Sequence, residues 1–165
     1  MNDVDILKKI EKKVLWLACW MIHNANHIRE NQDGLKVGGH QASSASIVSI
    51  MTALYFNILR PEDRVAVKPH ASPVFHAIQY LSGLQTKEKI ENFRGFGGAQ
   101  SYPSRTKDID DVDISTGSVG LGVAMTSFIS LIQDYIARKK FYNNRQLGRM
   151  IALVGDAELD EGNVY

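Results

Sequence analysis

The chain has 165 residues, 44% of them hydrophobic, and its 19 Lys+Arg against 18 Asp+Glu leave a formal charge of +1. That is one domain's worth of chain with enough apolar residues for a core, and so even a balance gives no reason to expect a nucleic-acid or membrane-surface partner. The single cysteine, Cys19, excludes an internal disulfide and suits a reducing, cytoplasmic compartment; no apolar run reaches the roughly 18 residues of a membrane span, and the charged MNDVDILKKIEKK reads as neither a secretory signal nor a transit peptide.

Ile6, Ile10, Val14, Leu17 and Met21 recur at helical spacing, which predicts one long amphipathic helix over residues 5–31. Asp33-Gly34 and Gly38-Gly39 break it. A second helix follows in ASSASIVSIMTALYFNIL, with Ser43 or Ser44 placed to cap it. PEDRVAVK is a turn into a short strand, Arg64 to Lys68. Ser72-Pro73 starts a third helix that stops at Gly83, and Thr86 caps a fourth in TKEKIENFR. Residues 95–114 form a long Gly-, Ser- and Asp-rich loop, a length that points to function or disorder. STGSVGLG then turns into a long apolar helix running toward Tyr142, with Gly120, Gly122, Ala124 and Ser127 small enough for close packing. RMIALVGD is a buried strand. Strands alternating with helices predict an α/β fold, a parallel sheet flanked by helices. Ligands bind such sheets at the carboxyl ends of the strands, and both strands end in polar loops, Lys68-Pro69-His70 and Gly155-Asp156.

Three clusters carry potential chemistry. In VGDAELDEGN, Asp156 follows a tight glycine at a strand end. It suits magnesium, which takes one or two carboxylates plus substrate phosphates, but on the pattern alone a helix cap is the favoured reading, since Asp is among the preferred caps. In STGSVGLG, glycines ahead of a helix let backbone N–H groups approach an anion. That stretch has neither Rossmann spacing nor a P-loop lysine, so a plain tight turn serves as well. His40 and His70 stand on loops, the stronger positions for function. His76 falls inside a helix. His23 and His27, four apart, are a polar helix face or half of a metal clamp with no adjacent third ligand.

GGHQASSAS, KPHASPVFHA, STGSVGLG and LVGDAELDEGN occur in that order. Together they resemble the N-terminal, diphosphate-binding region of the transketolase superfamily of thiamine diphosphate enzymes. SGLQTKEKIENFR and GGAQSYPSRTKD look most like the homodimeric type of pyruvate dehydrogenase decarboxylating component. The likeness covers nearly the whole chain. It implies thiamine diphosphate and magnesium as cofactors, with Asp156 as magnesium ligand and Gly155 and Ala157 shaping its turn; the family usually has glycine where Ala157 stands. It implies that Gly117, Ser118 and Val119 pass under the aminopyrimidine ring. His40 and His70 would face the reactive carbon and the substrate, and Glu161 would couple two sites at a dimer interface. The expected reaction is decarboxylation of a 2-oxo acid, pyruvate, with acyl transfer to lipoamide.

Two departures qualify that expectation. Ser104 stands where pyruvate dehydrogenases carry a histidine, which weakens pyruvate as substrate and leaves Arg105 and Lys107 either as anion ligands or as a solvated loop. The motif's closing Asn, the pyrimidine-binding domain with its catalytic Glu, and the C-terminal domain are absent from residues 1–165, and Asn163 is too close to Asp156 to be that Asn. The resemblance therefore implies an incomplete thiamine diphosphate-binding fold, not active alone. Its partner would be a second copy or a complementary chain with the pyrimidine-binding domain, and a lipoyl acyltransferase beyond that. The other readings are a transketolase moving a two-carbon ketol unit between sugar phosphates, and a non-catalytic product of a split or decayed gene.

Overall fold

The computed structural model describes residues 3–31, 34–141 and 146–165. Asp33, Tyr142 and the side chain of Asn163 lie outside the described residues. Helix α1 spans Asp3–His23 and runs on into a π turn, Asn24–Ile28. Asp3 and Asp5 lie in its first turn, where acids complement the helix dipole. It buries Val14, Ala18, Met21 and Ile22, one face at helical spacing. The predicted helix to residue 31 stops short because Arg29 turns extended. Its guanidinium donates to the Phe93 carbonyl at 2.9 Å and to Asn92 Oδ1 at 3.2 Å.

Helix α2, Gln41–Ala53, likewise continues into a π turn, Leu54–Ile58. Its N-cap is His40, with no side-chain cap bond. Neither Ser43 nor Ser44 is the cap, contrary to the sequence expectation. Ser44 is buried one turn inside, and its hydroxyl donates to the His70 carbonyl at 3.2 Å. Helix α3, Ser72–Leu81, follows a 3-10 turn at Pro69–Ala71. It is central: Val74, Phe75, Ala77 and Ile78 are buried, and so are His76 and Gln79. Helix α4, Lys87–Glu91, is capped as expected by Thr86, whose Oγ1 accepts from the Lys89 amide at 3.3 Å. Helix α5 spans Leu121–Arg138.

The sheet has two parallel strands among the described residues, β1 Arg64–Ala66 and β2 Met150–Ala152, with Val65 opposite Ile151. Side chains alternate across it. Val65 and Val67 join the core formed with α1, α2 and α3. Ala66 faces α5, where a Cβ on Gly122 would lie 3.3 Å from the Ala66 Cβ. The helices therefore cover both faces of β1, and Gly122 is the close-packing residue that the small stripe promised.

Asp63 pins the two strands at their amino ends. Its buried carboxylate accepts from the backbone N–H of Arg149 at 2.7 Å and of Arg60 at 2.9 Å, and from the Arg149 guanidinium at 2.5 and 3.1 Å. The other edge of β1 is closed by the long loop. Asp113 accepts from the Val65 N–H at 2.9 Å, and the Thr116 hydroxyl donates to the Val67 carbonyl at 2.6 Å. Side chains there satisfy backbone groups that a third strand would otherwise take. The strand itself ends at Ala66, short of the expected Lys68, where the pairing with β2 stops.

The outer face of α5 is uncovered among the described residues. Phe128, Leu131, Ile132 and Tyr135 are each more than half exposed. Among the described residues no helix is long and apolar enough to cross a membrane.

Candidate functional site

Parallel pairing brings the carboxyl ends of β1 and β2 together, and with them Lys68-Pro69-His70 and Gly155-Asp156. A Cβ added to Gly155 would lie 3.6 Å from Lys68 Nζ and 3.7 Å from Glu158 Oε1. An ammonium group and a carboxylate thus flank the backbone just ahead of Asp156. Gly155 is the N-cap of a 3-10 turn, Asp156–Asp160. Asp156 opens that turn as its first residue and is exposed, as is Ala157. The cap position belongs to Gly155, so the helix-cap reading of Asp156 does not describe the geometry. Glu161 is exposed at the end of the same turn.

The two loop histidines meet edge to face, with ring centroids 4.6 Å apart. Three contacts set His40. The Asn26 amide donates to the Gly38 carbonyl at 3.0 Å, and its Oδ1 accepts from the Gly38 N–H at 2.8 Å. Gly39 lies so close to Ile22 that a Cβ would come within 3.1 Å of two of its carbons. His70 is set by the Ser44 bond to its carbonyl. Partial loss of solvent lowers the His70 pKa below the ordinary histidine value, and the neighbouring His40 and Lys68 lower it further, against Glu158. His70 is therefore a neutral imidazole at pH 7, the form that accepts a proton or shares one.

Thr116, tied to Val67, delivers the glycine turn to the same end of the sheet. Gly117, Ser118 and Val119 are exposed, and nothing lies within 4 Å of a Cβ built on Gly117. Gly120 takes a left-handed φ of 77° as the α5 N-cap, a conformation that favours glycine. This donor set fits one half of a magnesium–diphosphate site. Asp156 offers a hard oxygen ligand, Lys68 a cation for phosphate, and the turn an unobstructed backbone.

Sequence reasoning missed the polar centre of the core. The His76 ring, fully buried, lies with Nδ1 2.6 Å from Asp110 Oδ2 and Nε2 2.7 Å from the Gln100 carbonyl. Both partners accept, so both ring nitrogens donate and the ring is an imidazolium beside a carboxylate. Burial pulls its pKa down, but the Asp110 hydrogen bond and charge, the Gln100 carbonyl and Asp108 raise it above the ordinary value. Asp108 accepts from the Gln100 N–H at 2.9 Å and the Ser104 N–H at 2.8 Å. The pair clamps the long loop to α3. The one available signal was a histidine on the apolar face of a helix upstream of the acidic DIDDVD. Ser104 turns into its own loop, its hydroxyl 3.2 Å from that of Thr106. Arg105 borders a cavity shared with Asp111 and Asp113, whose carboxylates disfavour an anion. His23 and His27 have ring centroids 5.0 Å apart. Among the described residues, the only three-group cluster of metal-ligating type is His76, Asp108 and Asp110; the His76 nitrogens, the Asp108 oxygens and Asp110 Oδ2 are engaged with one another and with backbone, and Asp110 Oδ1 is buried without a partner.

Two parallel strands with helices on both faces, and polar groups gathered at their carboxyl ends, make this an α/β architecture. Its similarities are to enzymes named pyruvate dehydrogenase E1 component. It is 26% identical over 171 aligned residues to that of Mycolicibacterium smegmatis, 25% over 169 to that of Escherichia coli K12, and 29% over 169 to that of Pseudomonas aeruginosa. Each alignment takes in 97% of this chain and 18% of the relative, so the chain spans less than a fifth of the length of these curated relatives. No family model matches it.

Proposed function

We propose that this chain is the N-terminal, diphosphate-binding part of a thiamine diphosphate-dependent 2-oxo acid dehydrogenase, with pyruvate as substrate and lipoamide as acyl acceptor. The observation that carries this reading is convergence. His40, His70, the Gly117–Val119 turn and Gly155-Asp156 are separated in sequence and meet at one end of one sheet. When bound, thiamine diphosphate supplies the carbanion-stabilising chemistry. Asp156 would supply a carboxylate ligand to the magnesium ion, and Lys68 would offset diphosphate charge. The backbone of Gly117, Ser118 and Val119 leaves room for the cofactor ring. Neutral His70, steadied by His40, takes up or returns a proton at the substrate carbonyl and hydrogen-bonds oxygen as it gains charge. Glu161, exposed at the end of the Asp156 turn, would couple the site to a second subunit. The uncovered apolar stripe of α5 favours a further protein layer there, since soluble monomers seldom leave such patches bare.

Calorimetry tests the site directly. Thiamine diphosphate with magnesium should bind this chain weakly, with no binding to Asp156→Ala. Equal binding by both forms would refute the role of Asp156, and tight stoichiometric binding would refute the view that the site needs a second chain. Ser104 keeps a second substrate class open. Pyruvate with a lipoyl domain, against xylulose and ribose phosphates, separates the two on the complete enzyme that contains this segment.

A further inference from the structure

Arg94 has a φ of 61°, one of two non-glycine residues with positive φ among the described residues. That region penalises an L side chain and suits glycine. A non-glycine residue held there points to a use for its side chain. The neighbouring backbone makes room for it: a Cβ on Gly38 would lie 2.9 Å from Arg94 Nη1. Nη1 donates to the Val37 carbonyl at 2.9 Å, and the guanidinium carbon lies 5.6 Å from the Phe93 ring centroid. Held by these two contacts, the group keeps its side-on edge uncommitted. Nε has no acceptor although it is buried, and Nη2 makes no hydrogen bond among the described residues. That edge, Nε with Nη2, is a fork matching two oxygens of a carboxylate or phosphate.

The guanidinium borders a cavity of about 310 Å³ lined by Val37, Arg94, Gly95, Gln100, Ser101 and Tyr102. No acid is among these residues, and Ser101 and Tyr102 bring hydroxyl donors. One wall residue of the cavity, Val37, is three positions from His40 in the chain. The Arg94 charge is also one of those acting on His70. We propose that this cavity is an oxyanion-binding subsite, in which Arg94 takes the carboxylate or phosphate of a ligand whose reacting part lies at His40 and His70. Its role as a substrate subsite rests on the function proposed above; its affinity for an oxyanion does not. The anion-binding role left open for Arg105 and Lys107 falls instead to Arg94.

The test is NMR on the isotopically labelled chain without cofactor. Inorganic phosphate and pyruvate are titrated separately at constant ionic strength, with chloride as control. The arginine Nε–H signal that disappears in Arg94→Lys should shift saturably in the millimolar range, together with the Ser101 and Tyr102 amides, and chloride should have no such effect. Arg94→Lys keeps the charge but loses the fork, and should weaken the response of the two amides roughly tenfold. Arg94→Gly fits the backbone conformation, so the fold should persist while the response vanishes. Tighter binding of phosphate indicates a phosphorylated ligand, and tighter binding of pyruvate a 2-oxo acid. No saturable shift with either anion, or an unchanged Ser101 and Tyr102 response in Arg94→Gly, overturns the proposal. Cofactor calorimetry is scored separately, so failure of either reading is visible without the other.

Discussion

Replacing His76 by Leu should be among the most damaging single changes in the chain. The ring and the Asp110 side chain are both wholly buried and 2.6 Å apart. Removing one partner leaves a buried charge uncompensated, which costs about 3–5 kcal/mol. It also leaves the Gln100 carbonyl without its 2.7 Å donor, about 1 kcal/mol more. Domains of this size have roughly 5–15 kcal/mol in total, so His76→Leu alone threatens the fold. Asp110→Leu should cost a similar amount. The double variant removes both charges together and should cost less than the sum by about 2–3 kcal/mol. Urea titration followed by circular dichroism measures all four forms. The pair also gives stability a pH dependence. The folded pKa of His76 is raised, so its contribution is complete below the unfolded value near 6.5 and is lost as pH rises through the folded value. The gap between wild type and the double variant should shrink as pH rises above about 6.5. Additive single costs, or a gap that does not change with pH, would refute an ion pair at this position.

Asp63→Ala should destabilise by about 1–3 kcal/mol, because it leaves the Arg60 and Arg149 backbone N–H groups without their acceptor; a midpoint within experimental error of wild type would contradict that role. The Arg149 side-chain bond, with the Arg149 and Arg60 amides, holds the Asp63 carboxyl well below the usual carboxylate range. Its contribution is present above the unfolded value near 3.9 and is lost as pH falls through the lower folded value, which acid titration of wild type and Asp63→Asn would show. Gly148→Ala should lower the melting temperature sharply, since a Cβ there would lie 1.8 Å from the Glu62 carbonyl oxygen. Leu131→Glu on the bare stripe of α5 should reduce self-association in sedimentation velocity and leave the fold intact, while unchanged association would place the contact elsewhere.

Helices α1 and α2 were legible because each buries one stripe, and a stripe leaves a 3.6-residue period in the sequence. Thr86 and Ser72-Pro73 announced their helix starts through local chemistry. The GGH, KPHASP, STGSVG and VGD segments named the polar groups, although only the pairing of Val65 with Ile151 puts them at one place. Ser44 misled because a serine near a helix start usually caps it, whereas here a tertiary partner, the His70 carbonyl, takes the hydroxyl. The edge of β1 was illegible for a similar reason. Asp113 and Thr116 act as a third strand through side chains, and no periodicity records that. His76 read as an ordinary helical residue because its partners come from a loop 24 and 34 positions away. Arg94 carried no signal at all, since its significance lies in a backbone dihedral and an empty hydrogen-bonding edge.

In the proposed function, Asp156, Lys68 and the glycine turn hold a metal-bound diphosphate at the carboxyl ends of β1 and β2. Manganese in place of magnesium, added with thiamine diphosphate, broadens the NMR signals of nearby amides and so maps the ion. Broadening should centre on Gly155, Asp156, Lys68 and Gly117 and should disappear in Asp156→Ala. Broadening centred instead on His76, Asp108 and Asp110, or unaffected by Asp156→Ala, would contradict it.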